Sequence, residues 1–141
     1  MDHSGGLHFV KGDLKTTGRI YGSPITKVYS RKDKQCEKIC HVEAGYKRCH
    51  GPLCWHVHHP KRQYRTQNQM SLVVQLMGSK TILLTGDIDE MVLRHCSLDG
   101  SIKLWQSDLW LAPHHGRTKL SNNYIKFLGR ERIVIGKIYD L

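Results

Sequence analysis

Hydrophobic positions are most regular in the second half of the chain. The runs 71–77 and 81–85 are mostly apolar and lie on either side of Gly78-Ser79-Lys80. This pattern predicts two strands joined by a tight turn. Apolar residues at helical spacing predict a helix over 87–96. The run 108–112 predicts a further strand, because Pro113 follows it and cannot continue a ladder.

The end of the chain extends this alternation of strands and helices. Ser121 or Asn122 can cap a second helix, and the apolar run in 132–135 predicts a last strand. The predicted order is therefore strand, strand, helix, strand, helix, strand. That order is typical of an α/β domain in which strands pack against helices.

The first half carries no comparable pattern. Weak strand signals occur only at 25–29 and 55–58, and the stretch 24–65 is polar, basic and rich in cysteine and histidine. We expect this stretch to be poorly ordered. The 141 residues are enough for one domain, 1–141, in which 66–141 forms the ordered α/β part.

Charge and length narrow the classes of partner. The 22 Lys and Arg exceed the 12 Asp and Glu by ten, which favours a polyanionic partner such as nucleic acid. The same charges can also simply keep a polar face soluble. No apolar run reaches the length of a membrane span, and the first residues lack a signal-peptide pattern. The candidate nucleic-acid-binding residues are Lys27, Arg31, Lys32, Lys34, Lys47, Arg48, Lys61 and Arg62.

Two strand ends carry metal-competent side chains. Asp87 follows the apolar run Leu83-Leu84-Thr85-Gly86, and His114 and His115 follow the next predicted strand. Carboxylate and imidazole ligands suit zinc, manganese or iron. Taken alone, an acid after a Thr-Gly step is more typical of a solvated turn or a helix cap.

Several motifs together resemble one family. The segments Asn68-x-x-Ser71-Leu72-Val73, Leu83 to Asp87 and Pro113-His114-His115-Gly116 resemble the closing motifs of the metallo-β-lactamase-like domain of ComEC-type DNA-internalisation competence proteins. Cys49, Trp55 and His59-Pro60 resemble landmarks that precede them in proteobacterial members. Asp2-His3-Ser4-Gly5-Gly6 is similar to the end of the family's opening motif, His-x-His-x-Asp-His-x-Gly-Gly.

The resemblance implies a fold and a chemistry. It implies an αββα sandwich with a binuclear zinc or manganese site between the sheets, and two-metal hydrolysis of DNA during natural transformation. It assigns Asp87 as the bridging, catalytic carboxylate, His114 or His115 as a later ligand, and Asp2 and His3 as ligands of the second metal. It places the parent protein in the inner membrane and this domain outside the cytoplasm.

The opening motif is incomplete in this sequence, since its His-x-His pair would precede Met1. We therefore expect an incomplete sandwich, weak metal occupancy and little or no nuclease activity from this chain alone. We also expect an upstream or membrane-channel part of the same system as a partner, and no small-molecule cofactor. An uncovered sheet edge and apolar face predict instability or self-association without that partner.

A rival interpretation rests on the cysteines and histidines of the first half. Cys36, Cys40, Cys49 and Cys54, together with the histidines at 56, 58 and 59, offer enough ligands for a small zinc-stabilised, basic nucleic-acid-binding module without catalysis. The same four cysteines can instead form two disulfides, which would leave Cys96 in the core. The spacing alone does not decide between them.

Overall fold

The computed structural model describes residues 20–22, 39–98, 107–122 and 133–134. Its regular elements are a mixture of short strands and one α-helix, which agrees with the predicted α/β class. They are β1 (Ile20–Gly22), β2 (Ile39–His41), β3 (Lys47–His50), β4 (Leu53–His59), β5 (Val73–Met77), β6 (Thr81–Leu84), α1 (Glu90–Leu98), β7 (Leu109–Leu111) and β8 (Ile133–Val134). Two 3-10 turns occur at Asn68–Met70 and Pro113–Gly116.

The main sheet has six strands in the order β3-β4-β5-β6-β7-β8. Strands β3 to β6 pair antiparallel, whereas β6, β7 and β8 run parallel. The predicted hairpin is confirmed, since β5 pairs with β6 through Val74↔Leu84 and Met77↔Thr81. Strands β1 and β2 form a separate parallel pair.

The core lies on one face of the main sheet, beneath α1. The strands contribute Val73, Leu83 and Trp110 to this core cluster, and the other members come from α1 and the residues just before it. Asp89 caps α1, because its Oδ1 accepts the Val92 N–H at 2.9 Å. The helix therefore begins at Glu90 rather than at the predicted position 87. The cluster members from the helix side are Ile88, Val92, Leu93 and Cys96.

The opposite face of the sheet is also apolar, and we call it the second face. Side chains alternate along each strand, so the residues between the core positions share this face. Leu53, Leu109 and Leu111 are 50%, 39% and 36% exposed. The other apolar residues on the second face are Trp55, Val57, Val74, Leu76, Ile82 and Leu84.

The expectation of poor order is wrong for the described part of 24–65. Residues 39–65 contain β2, β3 and β4, and β4 pairs along most of its length with β5. The weak strand signal at 55–58 lies inside β4, and it was weak because His58 and His59, which are polar by type, are buried there.

Some predictions fall on residues that the structure does not describe. The strand signal at 25–29 and most of the helix after Asn122 lie outside the described residues. Within the described residues, no helix combines the length and the apolar character needed to cross a bilayer.

Candidate metal site at the carboxyl edge of the sheet

Several strands of the main sheet end at the same edge. Because β4 and β6 are both antiparallel to β5, and β7 is parallel to β6, the carboxyl ends of β4, β6 and β7 share one edge, which we call the carboxyl edge. Asp87 follows β6 at this edge, and the 3-10 turn Pro113–Gly116 follows β7. Topology therefore brings the two motifs of the sequence to neighbouring positions.

Asp87 and His115 form the closest predicted pair. His115 Nε2 lies 3.8 Å from Asp87 Oδ1, which is too long for a hydrogen bond. Asp87 is buried, whereas the His115 side chain is 35% exposed. Two ligands of one tetrahedral ion, each about 2.1 Å from it, lie about 3.4 Å apart. The pair therefore fits two ligand positions of one divalent ion with a small adjustment.

Of the two histidines in the second motif, His115 has its ring beside Asp87, and the backbone of the turn is unusual at both. Both histidines adopt left-handed backbone conformations, with φ of 51° and 55°. Left-handed φ costs a non-glycine residue about 1 to 2 kcal/mol, and such strain clusters at functional sites. The His114 N–H donates to Gly86 O at 2.9 Å, which ties the β7 turn to the β6 loop. The two imidazole rings lie edge-on, 6.5 Å apart.

The residues before Asp87 fix its position. The buried Thr85 hydroxyl donates to Leu111 O at 2.7 Å, across to β7. Gly86 has φ of +57°, and a Cβ there would lie 2.8 Å from Ser71 Cβ and 3.2 Å from Leu72 O. Gly86 thus packs directly against Ser71, because only glycine allows this approach.

A polar network that the sequence analysis missed supports the loop after Asp87. The Gln69 side chain donates to Asp89 Oδ2 at 2.7 Å, and the Gln69 carbonyl accepts from His59 Nε2 at 2.6 Å. Thr66 completes the network, since its hydroxyl accepts the Gln69 N–H at 3.2 Å. His59 is fully buried against Tyr64, and burial lowers its pKa. The N-cap spacing from Asp89 to Val92 was the one signal that pointed to this network.

The other predicted ligands do not join the pair among the described residues. Within the described ranges, no three His, Cys, Asp or Glu side chains come close enough together to hold a metal. Asp2 and His3 lie outside the described residues, as do Lys27, Arg31, Lys32, Lys34 and Cys36.

The predicted basic residues that are described all lie on the surface. Lys47 and Arg48 are exposed on β3, and Lys61 and Arg62 are exposed in the loop after β4. Arg62 Nη2 lies 3.1 and 3.2 Å from the two ring nitrogens of His95, and its guanidinium lies over the Tyr64 ring. This loop therefore has an ordered basic side chain close to α1.

The structure agrees in part with the interpretation that the cysteines form disulfides. Cys49 and Cys54 form a disulfide between the paired strands β3 and β4. Cys40 is a half-buried free thiol, and Cys96 lies buried in the core. Two of the four cysteines of the zinc interpretation are therefore oxidised and do not supply thiolate ligands.

No protein-family model and no curated protein sequence matches the chain.

Proposed function

We propose that this chain is part of a ComEC-type metallo-β-lactamase-like domain that acts on DNA phosphodiesters during DNA uptake. The observation that carries the proposal is the 3.8 Å approach of His115 Nε2 to Asp87 Oδ1. These residues come from two separate motifs and are brought together at the carboxyl edge. A carboxylate and an imidazole suit a zinc or manganese ion better than a soft metal.

The proposed fold is the αββα sandwich of that family. The second face supports it, because an apolar sheet face with exposed leucines needs a covering layer. The separate parallel pair β1–β2 supplies the beginning of a second sheet in this proposal. The turn after β2 is tied to the main sheet, since the Ala44 N–H donates to Pro60 O at 3.0 Å.

The proposed chemistry assigns distinct roles to the two residues. A bound divalent ion lowers the pKa of water and stabilises charge on a phosphate. Asp87 offers a buried carboxylate that is held by its neighbours Thr85 and Gly86, and His115 offers an imidazole from a strained turn. We propose Asp2 and His3 as further ligands. With two ligands brought together among the described residues, we expect weak binding and little hydrolysis by this chain alone.

The proposed setting is extracytoplasmic, with DNA and a membrane-channel part of the same system as partners. The Cys49–Cys54 disulfide supports it, because disulfides persist mainly in oxidising compartments. The excess of Lys and Arg supports contact with the DNA backbone.

Metal binding by the full chain tests this proposal directly. We expect Asp87→Asn and His115→Ala each to lower the affinity for Mn²⁺ or Zn²⁺ at least tenfold, because each removes one ligand. Isothermal titration calorimetry and Mn²⁺ electron paramagnetic resonance measure this without relying on activity. His50→Ala, an exposed imidazole on β3, is the matched control and should leave affinity unchanged. Equal affinity in wild type and Asp87→Asn contradicts the assignment, as does strong DNA hydrolysis that survives this change.

A further inference from the structure

We propose that Thr85 is a positioning residue, whose buried hydroxyl holds the turn after β7 so that His115 stays within reach of an ion bound to Asp87. This role rests on the proposed function, which supplies the ion. Thr85 directly follows β6, and its hydroxyl bonds to the last residue of β7. It thus acts on the site through a neighbouring strand and takes no part in a chemical step.

The backbone pairing between β6 and β7 stops before either ligand is reached. The last paired residues are Leu84 and Leu111. Two residues after Leu111 comes Pro113, which has no N–H and cannot extend the ladder. Asp87 and His115 both come after this point, so their separation depends on bonds outside the regular ladder.

Hydrogen bonds still join the two chain segments beyond the ladder. The Thr85 hydroxyl donates to Leu111 O at 2.7 Å, and the His114 N–H donates to Gly86 O at 2.9 Å. The first bond fixes the end of β7, and the second fixes the turn that follows it. Together they hold this turn against the loop after β6.

Burial makes the Thr85 bond a strong constraint on geometry. The Thr85 side chain is 0% exposed, so its hydroxyl cannot exchange this partner for bulk water. A buried polar group without a partner lowers the free energy of unfolding, which favours the arrangement that satisfies it. Threonine is branched at Cβ and has few rotamers. The end of β7 therefore cannot move away from Thr85 without breaking the bond.

The separation of the two ligands leaves little room for such movement. His115 Nε2 lies 3.8 Å from Asp87 Oδ1, and two ligands of one tetrahedral ion lie about 3.4 Å apart. Distances from ligand to metal vary by only about 0.2 Å in protein sites. A displacement of the β7 turn by about 1 Å, which loss of the Thr85 bond permits, would therefore remove His115 as a ligand.

Thr81 offers a matched comparison at the other end of β6. Its hydroxyl donates to Asp108 Oδ2 at 2.9 Å, directly before β7. This bond also joins β6 to the segment of β7, and it also comes from a threonine hydroxyl. At about 3.3 Å per residue, Thr81 and Thr85 lie about 13 Å apart along the chain. Loss of the Thr81 hydroxyl should therefore lower stability without changing the candidate site.

The experiment compares Mn²⁺ affinity and stability in four variants of the full chain. Thr85→Val and Thr85→Ala remove the hydroxyl with and without a methyl group in its place, Thr85→Ser keeps the hydroxyl, and Thr81→Val is the control. Mn²⁺ electron paramagnetic resonance measures affinity, and urea unfolding measures stability. We expect Thr85→Val and Thr85→Ala to lower the affinity about tenfold or more, as changes beside metal ligands commonly do. Thr85→Ser should stay within about threefold of wild type, and Thr81→Val should keep the wild-type affinity.

Hydrogen exchange of the His114 amide gives a second readout, which needs no metal. Because this N–H donates to Gly86 O, its exchange rate reports whether the turn stays against the loop. We expect exchange to be about tenfold faster in Thr85→Val than in wild type, and unchanged in Thr85→Ser and Thr81→Val.

The proposal is overturned if both hydroxyl-free variants of Thr85 bind Mn²⁺ as tightly as wild type, or if Thr85→Ser loses as much affinity as they do. It is also overturned if Thr81→Val loses equal affinity, since the loss would then follow from general destabilisation. Failure of both hydroxyl-free variants to fold, while Thr81→Val folds, would likewise overturn it by making Thr85 a folding residue.

The two readouts separate this proposal from the proposed function. Wild-type protein that does not bind Mn²⁺ removes the proposed function, and the exchange of the His114 amide then decides alone whether Thr85 holds the turn. Wild-type binding that Asp87→Asn abolishes but that no change at Thr85 affects leaves the proposed function standing and removes the role of Thr85.

Discussion

Single residues decide how close the two motifs of the candidate site can come. Asp87 follows a residue whose Cβ position is filled by Ser71 and by the Leu72 carbonyl, so the loop can sit here only with glycine at 86. The turn of His114 and His115 is joined to this same residue through Gly86 O. Gly86 therefore serves both the packing of the loop and the link between the motifs.

We predict that Gly86→Ala destabilises the protein more than Gly51→Ala does. Both glycines have φ of +57°, but a Cβ at Gly51 has no atom within 4 Å, whereas one at Gly86 meets Ser71 at 2.8 Å. Gly51→Ala adds about 1 kcal/mol of backbone strain, and Gly86→Ala adds steric overlap for a total of about 3 kcal/mol. Urea unfolding of the two variants gives both values. An equal decrease in the free energy of unfolding in both variants would contradict the prediction, because it would show that the loop moves away from Ser71 at no loss of stability.

The sequence predicted that Asp87 follows the end of a strand, but it did not distinguish which histidine lies beside it. An acid directly after an apolar strand marks a strand end in any arrangement of the sheet, so its location followed from pattern alone. Which of His114 and His115 lies beside Asp87 depends on how the turn after β7 orients each ring, and no pattern of residue types indicates that both have left-handed φ. Gln69 was missed for a similar reason, since its partners Asp89 and His59 are distant along the chain.

Among the secondary-structure elements, the strands with a regular apolar pattern were the ones that the sequence predicted. The β5–β6 hairpin combines apolar runs with a Gly-Ser-Lys turn, and the structure has the two strands and the turn at these positions. Strand β3 was missed and β4 was only weakly indicated, because many of their paired positions are occupied by Lys, Arg, His and Cys, as in Lys47↔His56 and Cys49↔Cys54. Its order depends on cross-strand contacts, including the packing of Tyr46 on Trp55 at 5.2 Å.

We predict that the Cys49–Cys54 disulfide of the β3–β4 hairpin raises the free energy of unfolding of the protein. The Cys49–Cys54 bond closes a loop with a sequence separation of 5. The chain-entropy relation for so short a loop gives about 2 kcal/mol. Reduction, or the double change Cys49→Ser with Cys54→Ser, should therefore lower the free energy of unfolding by about that amount. Cys40→Ser is the control, since Cys40 is a free thiol.

Mass spectrometry checks the bond independently of stability. The intact protein should gain about two mass units on reduction of this one bridge. Unchanged mass together with unchanged unfolding would show that the two cysteines are not joined in solution.

At the scale of the whole molecule, the two notable features of the sheet are the exposure of its second face and the burial of histidines. The second face has exposed leucines at positions 53, 109 and 111, whereas Val57 on the same face is fully buried, so the expectation of an uncovered apolar face stays a prediction. The burial of histidines was not anticipated, because pattern analysis counts histidine as polar. His58 is buried against Gln75, with His58 Nε2 3.2 Å from Gln75 Oε1, and Gln75 in turn donates to Ser107 Oγ at 3.1 Å. A polar core region of this kind makes folding sensitive to protons.

Burial lowers the pKa of three histidines, His56, His58 and His59. Burial, followed by the charge of His56, lowers the pKa of His58 from 6.5 to about 4, although the hydrogen bond to Gln75 Oε1 acts in the opposite direction. Burial also lowers the pKa of His59, and burial together with Lys47 lowers that of His56. In the unfolded chain each takes up a proton near pH 6.5, whereas the folded protein resists protonation until a lower pH. Stability is therefore complete above about pH 6.5 and declines as the pH falls toward 4.

We predict that the free energy of unfolding falls between pH 6.5 and pH 5, where most carboxylates stay ionised, and that His58 contributes about 1 kcal/mol of the loss after allowance for solvent screening. Urea unfolding at a series of pH values measures this dependence. His58→Gln should flatten it, because glutamine does not titrate, whereas the exposed control His50→Gln should leave it unchanged. An identical pH dependence in wild type and His58→Gln would mean that His58 takes up its proton equally readily in the folded and unfolded states, which would contradict its burial against Gln75.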